Sequence, residues 1–491
     1  MRFTTYRKLV LLELGVSLSA CGNGTTPPPP PPPPPAPAKL AFLVQPSQAE
    51  GGVAITPALQ VAVQDASNNT VLTAATPVTI AFGINPSGST LSGTTTVNAV
   101  AGVATFTNLR VDRPGAGYTL VASAASLTGS ASSAFTVRLT FVQVATGLFH
   151  TCGLTTAALA YCWGMNDAGQ LGDGTRLQRT SPVAVARGLS FTHLSAGADF
   201  TCGGGIGDVP YCWGANLTGQ LGDGSTTDRD VPTVVADARS FRQVTAGFAH
   251  ACGLTATQEA YCWGWNNFGQ LGDNTGANRT RPTLVATSLR FGQISAGGVH
   301  TCGIELFVAY CWGWNANGQL GDATFETRLT PTLVQSGLNF IAISANQGSD
   351  AEAHTCGVAL GGGTHCWGAN FAGQLGDGTV FQRDAPVAVA IGLQMAQVST
   401  GREYTCAVTI AGVVHCWGAN GSGELGDGTM NPRLEPGLVP GLPPVAQISS
   451  RFRHSCAVTT SHELYCWGAN GNGQLGDGTI TTRLSPVRVV Q

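Results

Sequence analysis

The chain has 491 residues, 66 glycines, 27 prolines and only 10% charged residues. Its formal net charge is −3, and Lys8 and Lys39 are its only lysines, so it offers no basic field for a phosphate backbone and nucleic acid is not an expected partner. The length accommodates more than one core, and the glycine usage suits many short strands joined by turns.

The N-terminus reads as a targeting segment. Arg2, Arg7 and Lys8 give a positive start, and an apolar run over 9–18, interrupted by Glu13, leads into Leu18-Ser19-Ala20-Cys21. This resembles the lipobox of bacterial lipoproteins. The resemblance implies removal of 1–20 and a diacylglycerol on Cys21, which holds the protein to a membrane by burying methylenes. An ordinary secretory peptide is the alternative. Residues 21–38 form a proline-rich linker with nine consecutive prolines, Pro27–Pro35. Proline favours the extended polyproline helix, hence a semi-rigid stalk. No later apolar run reaches the roughly 18 residues of a spanning helix.

Residues 39–137 hold neither cysteine nor tryptophan, and their apolar residues alternate, as in Leu59-Gln60-Val61-Ala62-Val63 and Val78-Thr79-Ile80-Ala81-Phe82. Turn-rich breaks separate about seven short strands, the pattern of a β-sandwich. The stretch Gly117-Tyr118-Thr119-Leu120-Val121-Ala122 resembles a late strand of bacterial immunoglobulin-like modules, and the expected role is a spacer.

Residues 138–491 repeat. Trp163, Trp213, Trp263, Trp312, Trp367, Trp417 and Trp467 each follow a cysteine, at spacings of 50, 50, 49, 55, 50 and 50. Each unit carries four short apolar segments, which is the content of a propeller blade, and seven units close a ring. The stretch Ile294-Ser295-Ala296-Gly297-Gly298-Val299-His300-Thr301-Cys302 and the stretch Trp312-Gly313-Trp314-Asn315-Ala316-Asn317-Gly318-Gln319-Leu320-Gly321 resemble repeats of the regulator of chromosome condensation family. That family implies a seven-bladed β-propeller. The expected fold is therefore all-β: a proline-rich linker, an immunoglobulin-like β-sandwich and a seven-bladed β-propeller.

Cysteines pair within the units as Cys152 with Cys162, Cys202 with Cys212, Cys252 with Cys262, Cys302 with Cys311, Cys356 with Cys366, Cys406 with Cys416, and Cys456 with Cys466. Each pair brackets a predicted hairpin, where opposed residues lie at disulfide distance. Seven disulfides leave Cys21 as the odd cysteine and imply an oxidising compartment. Zinc is the competing reading, but eight or nine intervening residues suit no finger spacing. The Gly169–Thr175 loop and its copies lack the lysine and the strand-to-helix setting of a phosphate cradle. Asp173 and its equivalents are expected to accept turn N–H groups and to pair with the recurring arginines at 179, 229, 279, 328, 383, 433 and 483. His150, His250, His300, His354 and His454 share a column with Phe200 and Tyr404, which suits packing or a backbone hydrogen bond better than general-base chemistry.

Function is sought where copies differ. Trp265 and Trp314 stand where other copies hold alanine or methionine, with Phe268 and Phe371 further along the same loops. Phe149, Phe248 and Phe452 lie just before the histidine column, and an acidic insertion over 346–353 in the fifth unit contributes Asp350 and Glu352. Aromatics gathered on one face suit a protein or glycan partner. No nucleophile–base set or paired carboxylate appears, so the expected protein is not an enzyme and needs no cofactor or metal. It is read as a monomeric, lipid-anchored envelope protein that binds a protein or glycan at the cell surface. The family implies alternatives: guanine-nucleotide exchange on a small GTPase, as in its eukaryotic founder, or inhibition of a secreted enzyme. A structural envelope component is a further one.

Overall fold

The repeat alternation becomes seven four-stranded antiparallel sheets, over 141–184, 191–234, 243–284, 293–333, 340–388, 395–438 and 445–488. The computed structural model describes residues 35–346, 348, 352–390 and 392–490; Cys21, the leader, most of the proline-rich segment and Asp350 lie outside the described residues. Within each sheet the spatial order of strands is the chain order, so every blade is one continuous segment. The first strands line an axial channel of about 240 Å3, walled by Val144, Leu194, Ile343, Val398 and Ile448 among others. First-to-second turns and third-to-fourth loops lie on one face, the loop face. Second-to-third hairpins lie on the other, the hairpin face.

The invariant tryptophans hold blade to blade. All seven are fully buried. Trp213 packs with Leu171 and Val185 of the blade before it, and its indole N–H donates to the Gln170 carbonyl at 3.0 Å. Trp163 makes the same bond to the Gln474 carbonyl at 3.0 Å, so the last blade meets the first as the first meets the second. Gly172, at φ 67°, runs so close to the Trp213 indole that a Cβ would stand 2.6 Å from its nitrogen, which requires glycine there.

A second set of links sits on the axis. Gln143 accepts the Leu194 N–H at 2.9 Å and donates to the Leu194 carbonyl at 3.0 Å. Gln243, Gln293 and Gln397 repeat this clamp on Ile294, Ile343 and Ile448. Gln447 clamps Val144 at 2.7 and 2.9 Å and so closes the ring without an exchanged strand. His193 supplies the acceptor half, taking the Val244 N–H at 2.8 Å. At the fifth blade the position is Ala342.

All seven expected disulfides are formed, each between directly opposed residues such as Cys152 and Cys162, with Cα atoms 4.1 Å apart. Cys302 and Cys311 keep their opposition because their hairpin tightens to a two-residue turn at Leu306 and Phe307. With both sulfurs of every pair oxidised, the zinc reading has no thiolate left to use.

The region before the propeller holds more strands than the seven or so expected. Lys39–Val44, Leu59–Gln64 and Val103–Phe106 make one sheet; Ser130–Ala131, Leu120–Ser123, Pro77–Phe82 and Thr96–Asn98 make another. Gln48–Glu50, Phe135–Arg138 and Gly115–Tyr118 make a third, and Leu91–Ser92 pairs with Arg110–Val111. Strands of two or three residues carry no readable period, which is why the sequence reading undercounts them. One core, including Val61, Ile80, Phe106, Leu120 and Val137, serves them all. This domain docks on the hairpin side of the first blade: the Tyr161 hydroxyl donates to the Asp112 carbonyl at 2.9 Å, and Thr140 and Thr156 both donate to Glu50.

Candidate functional site

Each long loop of the loop face is built around one buried asparagine. Asn370 accepts the Leu375 N–H at 3.0 Å, and its amide donates to Asp377 and to the carbonyls of Thr379 and Phe381, each at 3.1 Å. Asn166, Asn216, Asn266, Asn315, Asn420 and Asn470 fill the same place. The turn aspartates pair with the arginines as expected, Arg179 with Asp173 at 2.8 Å, and they accept the N–H two residues on, Thr175 to Asp173 at 2.9 Å. Burial alone would raise these carboxyls; hydrogen bonds from the hydroxyl two residues on and from the arginine outweigh it and hold them below the usual range. Replacing Asn370 with alanine strands buried polar groups, so unfolding free energy is expected to drop by about 3 kcal/mol in a denaturant titration.

The histidine column is fully buried, and its main partner is a side chain of the next blade. His150 Nε2 lies 2.9 Å from Thr201 Oγ1 of the next blade. The Thr201 hydroxyl spends its one proton on the Gln170 carbonyl at 2.9 Å, so it accepts from Nε2–H. Nδ1 is therefore the unprotonated nitrogen of a neutral ring. His250, His300 and His454 repeat this on Thr301, Thr355 and Thr151; His354 Nε2 meets Thr405 in the same way, but its Nδ1 lies 3.4 Å from the Glu352 carbonyl. Tyr404 substitutes by donating to the His454 carbonyl at 2.7 Å.

On this framework stand the residues that vary between copies. Every aromatic singled out in the sequence falls on the loop face. Phe268 packs between Trp265 and Trp314, with ring centroids at 5.3 and 4.6 Å. These three are half-buried, and the Trp314 indole N–H is enclosed without a protein partner among the described residues. Nearer the axis, Phe149 meets Phe452 across the ring closure at 5.1 Å. The Arg402 guanidinium lies 5.2 Å over Phe452 and is held by two hydrogen bonds to Glu352, which raise its pKa. Phe248 and Phe371 stand apart from both clusters and are exposed, Phe371 the more so at 64%.

The sequence reading missed three things here. Exposed Phe325 and Phe381 sit where the loops turn back toward the fourth strand. Glu424 takes the place of a glutamine in the other six copies; it is buried, accepts the Ser422 N–H at 2.7 Å, and burial pushes its pKa up. Arg451 occupies a column that reads Gly147, Gly197, Gly247, Gly297, Asn346 and Gly401 elsewhere. Its buried side chain crosses the axis from the seventh blade to the third, donating to the Gly247 carbonyl at 2.8 Å, and thereby closes the loop-face end of the channel. Burial pushes its pKa down to about 9, which leaves it charged at neutral pH.

A ring of seven self-contained blades, each clasping the tryptophan of the next with its glycine-rich loop, defines a closed propeller of one repeat class. The sequence profile of the regulator of chromosome condensation (RCC1) repeat matches residues 159–203, 209–254, 259–304, 308–349, 361–408, 411–458 and 461–491, and the chain belongs to that family. A second profile of the repeat matches 141–170, 241–270 and 445–474. Among solved structures the chain is similar to human WBSCR16, at 22% identity over 68% of this chain and 94% of that one, TM-score 0.61. It is similar to yeast RCC1 (Prp20) bound to Kap60, at 18% identity over 71% and 87%, TM-score 0.62. A third likeness is Prp20p from Saccharomyces cerevisiae, whose structure was described with its binding properties to Gsp1p and histones, at 20% identity over 69% and 87%, TM-score 0.60. These are likenesses of fold. No curated protein matches the chain by sequence.

Proposed function

We propose that this is a non-enzymatic binding protein of the bacterial cell envelope, anchored by lipid on Cys21, whose loop face takes a protein or glycan partner. The proline-rich stalk and an immunoglobulin-like spacer at 39–137 carry the propeller outward. The observation that carries the reading is internal to the repeat. Departures from a nearly fixed scaffold gather on one face as two aromatic clusters, Trp265–Phe268–Trp314 and Phe149–Phe452 with Arg402 and Glu352. Half-buried aromatics gathered on one face are the usual anchors of an interface. The yeast neighbours are named with protein partners, which favours protein over glycan. Inhibition of a secreted enzyme is one form that such binding takes. Exchange on an intracellular GTPase stands second, because seven disulfides belong to oxidising compartments.

The test is a pull-down from envelope extract and culture medium with the wild-type chain and a Trp265→Ala/Trp314→Ala variant. The expected result is loss of the captured partner with the melting temperature nearly unchanged. Retained capture with a lowered melting temperature means that the two rings only cover their own blades. Mass spectrometry of the N-terminal peptide checks the anchor separately, with a diacylglycerol-modified Cys21 expected.

A further inference from the structure

We propose that the wall of the axial channel between the fifth and sixth blades is a receptor for a primary carboxamide. The site is independent of the loop-face reading. At six of the seven junctions a side chain from one blade engages the inner-strand peptide of the next: Gln143, Gln243, Gln293, Gln397 and Gln447 meet both its N–H and its C=O, and His193 meets the N–H. The seventh junction has Ala342, whose methyl group reaches neither.

The peptide that Ala342 leaves open is that of Val398. Val398 stands opposite Ala407 as Val144 stands opposite Gly153, so its N–H and C=O turn out of their own sheet toward the fifth blade. The strands around it keep the register of their counterparts, including the irregularity just before Ala342 and Gln397 that the first blade shows before Gln143. Two residues on, Thr400 donates its N–H to Ser344 Oγ at 3.2 Å, just as Thr146 donates to Ser449 Oγ at 3.0 Å. Only the clamp is missing, and Ala342 and Val398 both line the cavity of about 240 Å3 on the axis. Among the described residues no side chain fills the gap.

The other junctions show which chemistry fits. Gln447 presents a carbonyl oxygen to the Val144 N–H at 2.7 Å and an amide N–H to its carbonyl at 2.9 Å. A ligand that satisfies Val398 needs the same adjacent acceptor and donor in one plane, which is a primary carboxamide. A carboxylate would set a negative oxygen against the Val398 carbonyl, and an ester has no donor. Arg451 closes the loop-face end, so the group enters from the hairpin face. Its source is a small free amide or the glutamine or asparagine side chain of a partner.

The experiment compares the full chain with an Ala342→Gln variant, which rebuilds the clamp from within and occupies the slot. Propionamide is the probe, read by saturation-transfer NMR, with propionate and methyl acetate as controls; Gly-Gln-Gly against Gly-Glu-Gly tests the side-chain source. The expected result is a propionamide signal on the wild-type chain, lost in Ala342→Gln, with weak or no signal from either control and a higher melting temperature for the variant. An Ala342→Leu variant, which fills the slot without an amide, should lose the signal too and guards against misfolding of the first. Equal signals from wild type and both variants, equal signals from propionate, or no propionamide signal at all would overturn the proposal, the last meaning that water alone meets Val398. A Gly-Gln-Gly signal without its Gly-Glu-Gly twin assigns the slot to a protein side chain; propionamide alone assigns it to a small amide.

Discussion

Diluted from denaturant into reducing buffer, the propeller is expected to stay unfolded, whereas the oxidised chain refolds. Each staple closes a hairpin at a sequence separation of 9 or 10 residues. In the chain-entropy treatment a loop of that size is worth about 2.7 kcal/mol. Seven together amount to roughly 19 kcal/mol, more than the ~5–15 kcal/mol by which ordinary domains exceed their unfolded states. The native protein should nonetheless resist reductant, because every paired sulfur is fully buried and a thiolate attacks only after a blade opens. Far-UV circular dichroism after dilution, with and without reductant, reads the outcome. A Cys406→Ala/Cys416→Ala variant should lose about 2.7 kcal/mol alone. Equal refolding midpoints for oxidised and reduced chains would mean that the staples are ornamental.

Acid is the second large lever, and its sign follows from the histidine column. Burial, aided by the charge of Arg451 for three of them, holds His150, His250 and His454 down to about 3; burial and neighbouring histidines do the same to His300, and burial brings His354 to about 4. Above pH 6.5 folded and unfolded chains are both neutral at these positions, and nothing is lost. Below it the unfolded chain takes up protons that the folded one refuses, so stability falls as pH falls, until the folded pKa values are reached near 3 to 4. Five such groups give a slope approaching about 7 kcal/mol per pH unit. The seven turn aspartates do not confuse most of this window: their depressed pKa values keep their contribution intact down to the ordinary carboxylate range, and it is lost only as pH falls through that range toward the folded values. Tryptophan fluorescence should report a steep, cooperative acid transition above pH 4. NMR signals of these five column imidazoles that titrate near 6.5 in the folded protein would refute it.

Much of this architecture is legible in the chain. The cysteine–tryptophan spacing marks hairpins, blades and staples together, because one residue column does one job seven times. What escapes reading escapes for physical reasons. Gln143 and its counterparts sit at the start of strands, where a polar residue looks solvent-facing; only the curvature of the ring turns them onto the next blade. The asparagines at 166, 216, 266, 315, 370, 420 and 470 are as constant as the glycines beside them and so look like mere turn residues. Arg451 was readable, since a lone arginine in a column of glycines is conspicuous, but its target on Gly247 belongs to a blade 204 residues away. The aromatics Trp265, Phe268 and Trp314 are visible as departures from the repeat, while their packing into one half-buried cluster depends on neighbouring loops meeting.

Peptide mapping of the mature protein under non-reducing conditions tests the central claim, a closed wheel of seven blades each stapled within itself. Seven linked peptide pairs are expected, Cys152 with Cys162 through Cys456 with Cys466, and no others among these fourteen residues. Free thiols at these positions, or links from one blade to another, would contradict it.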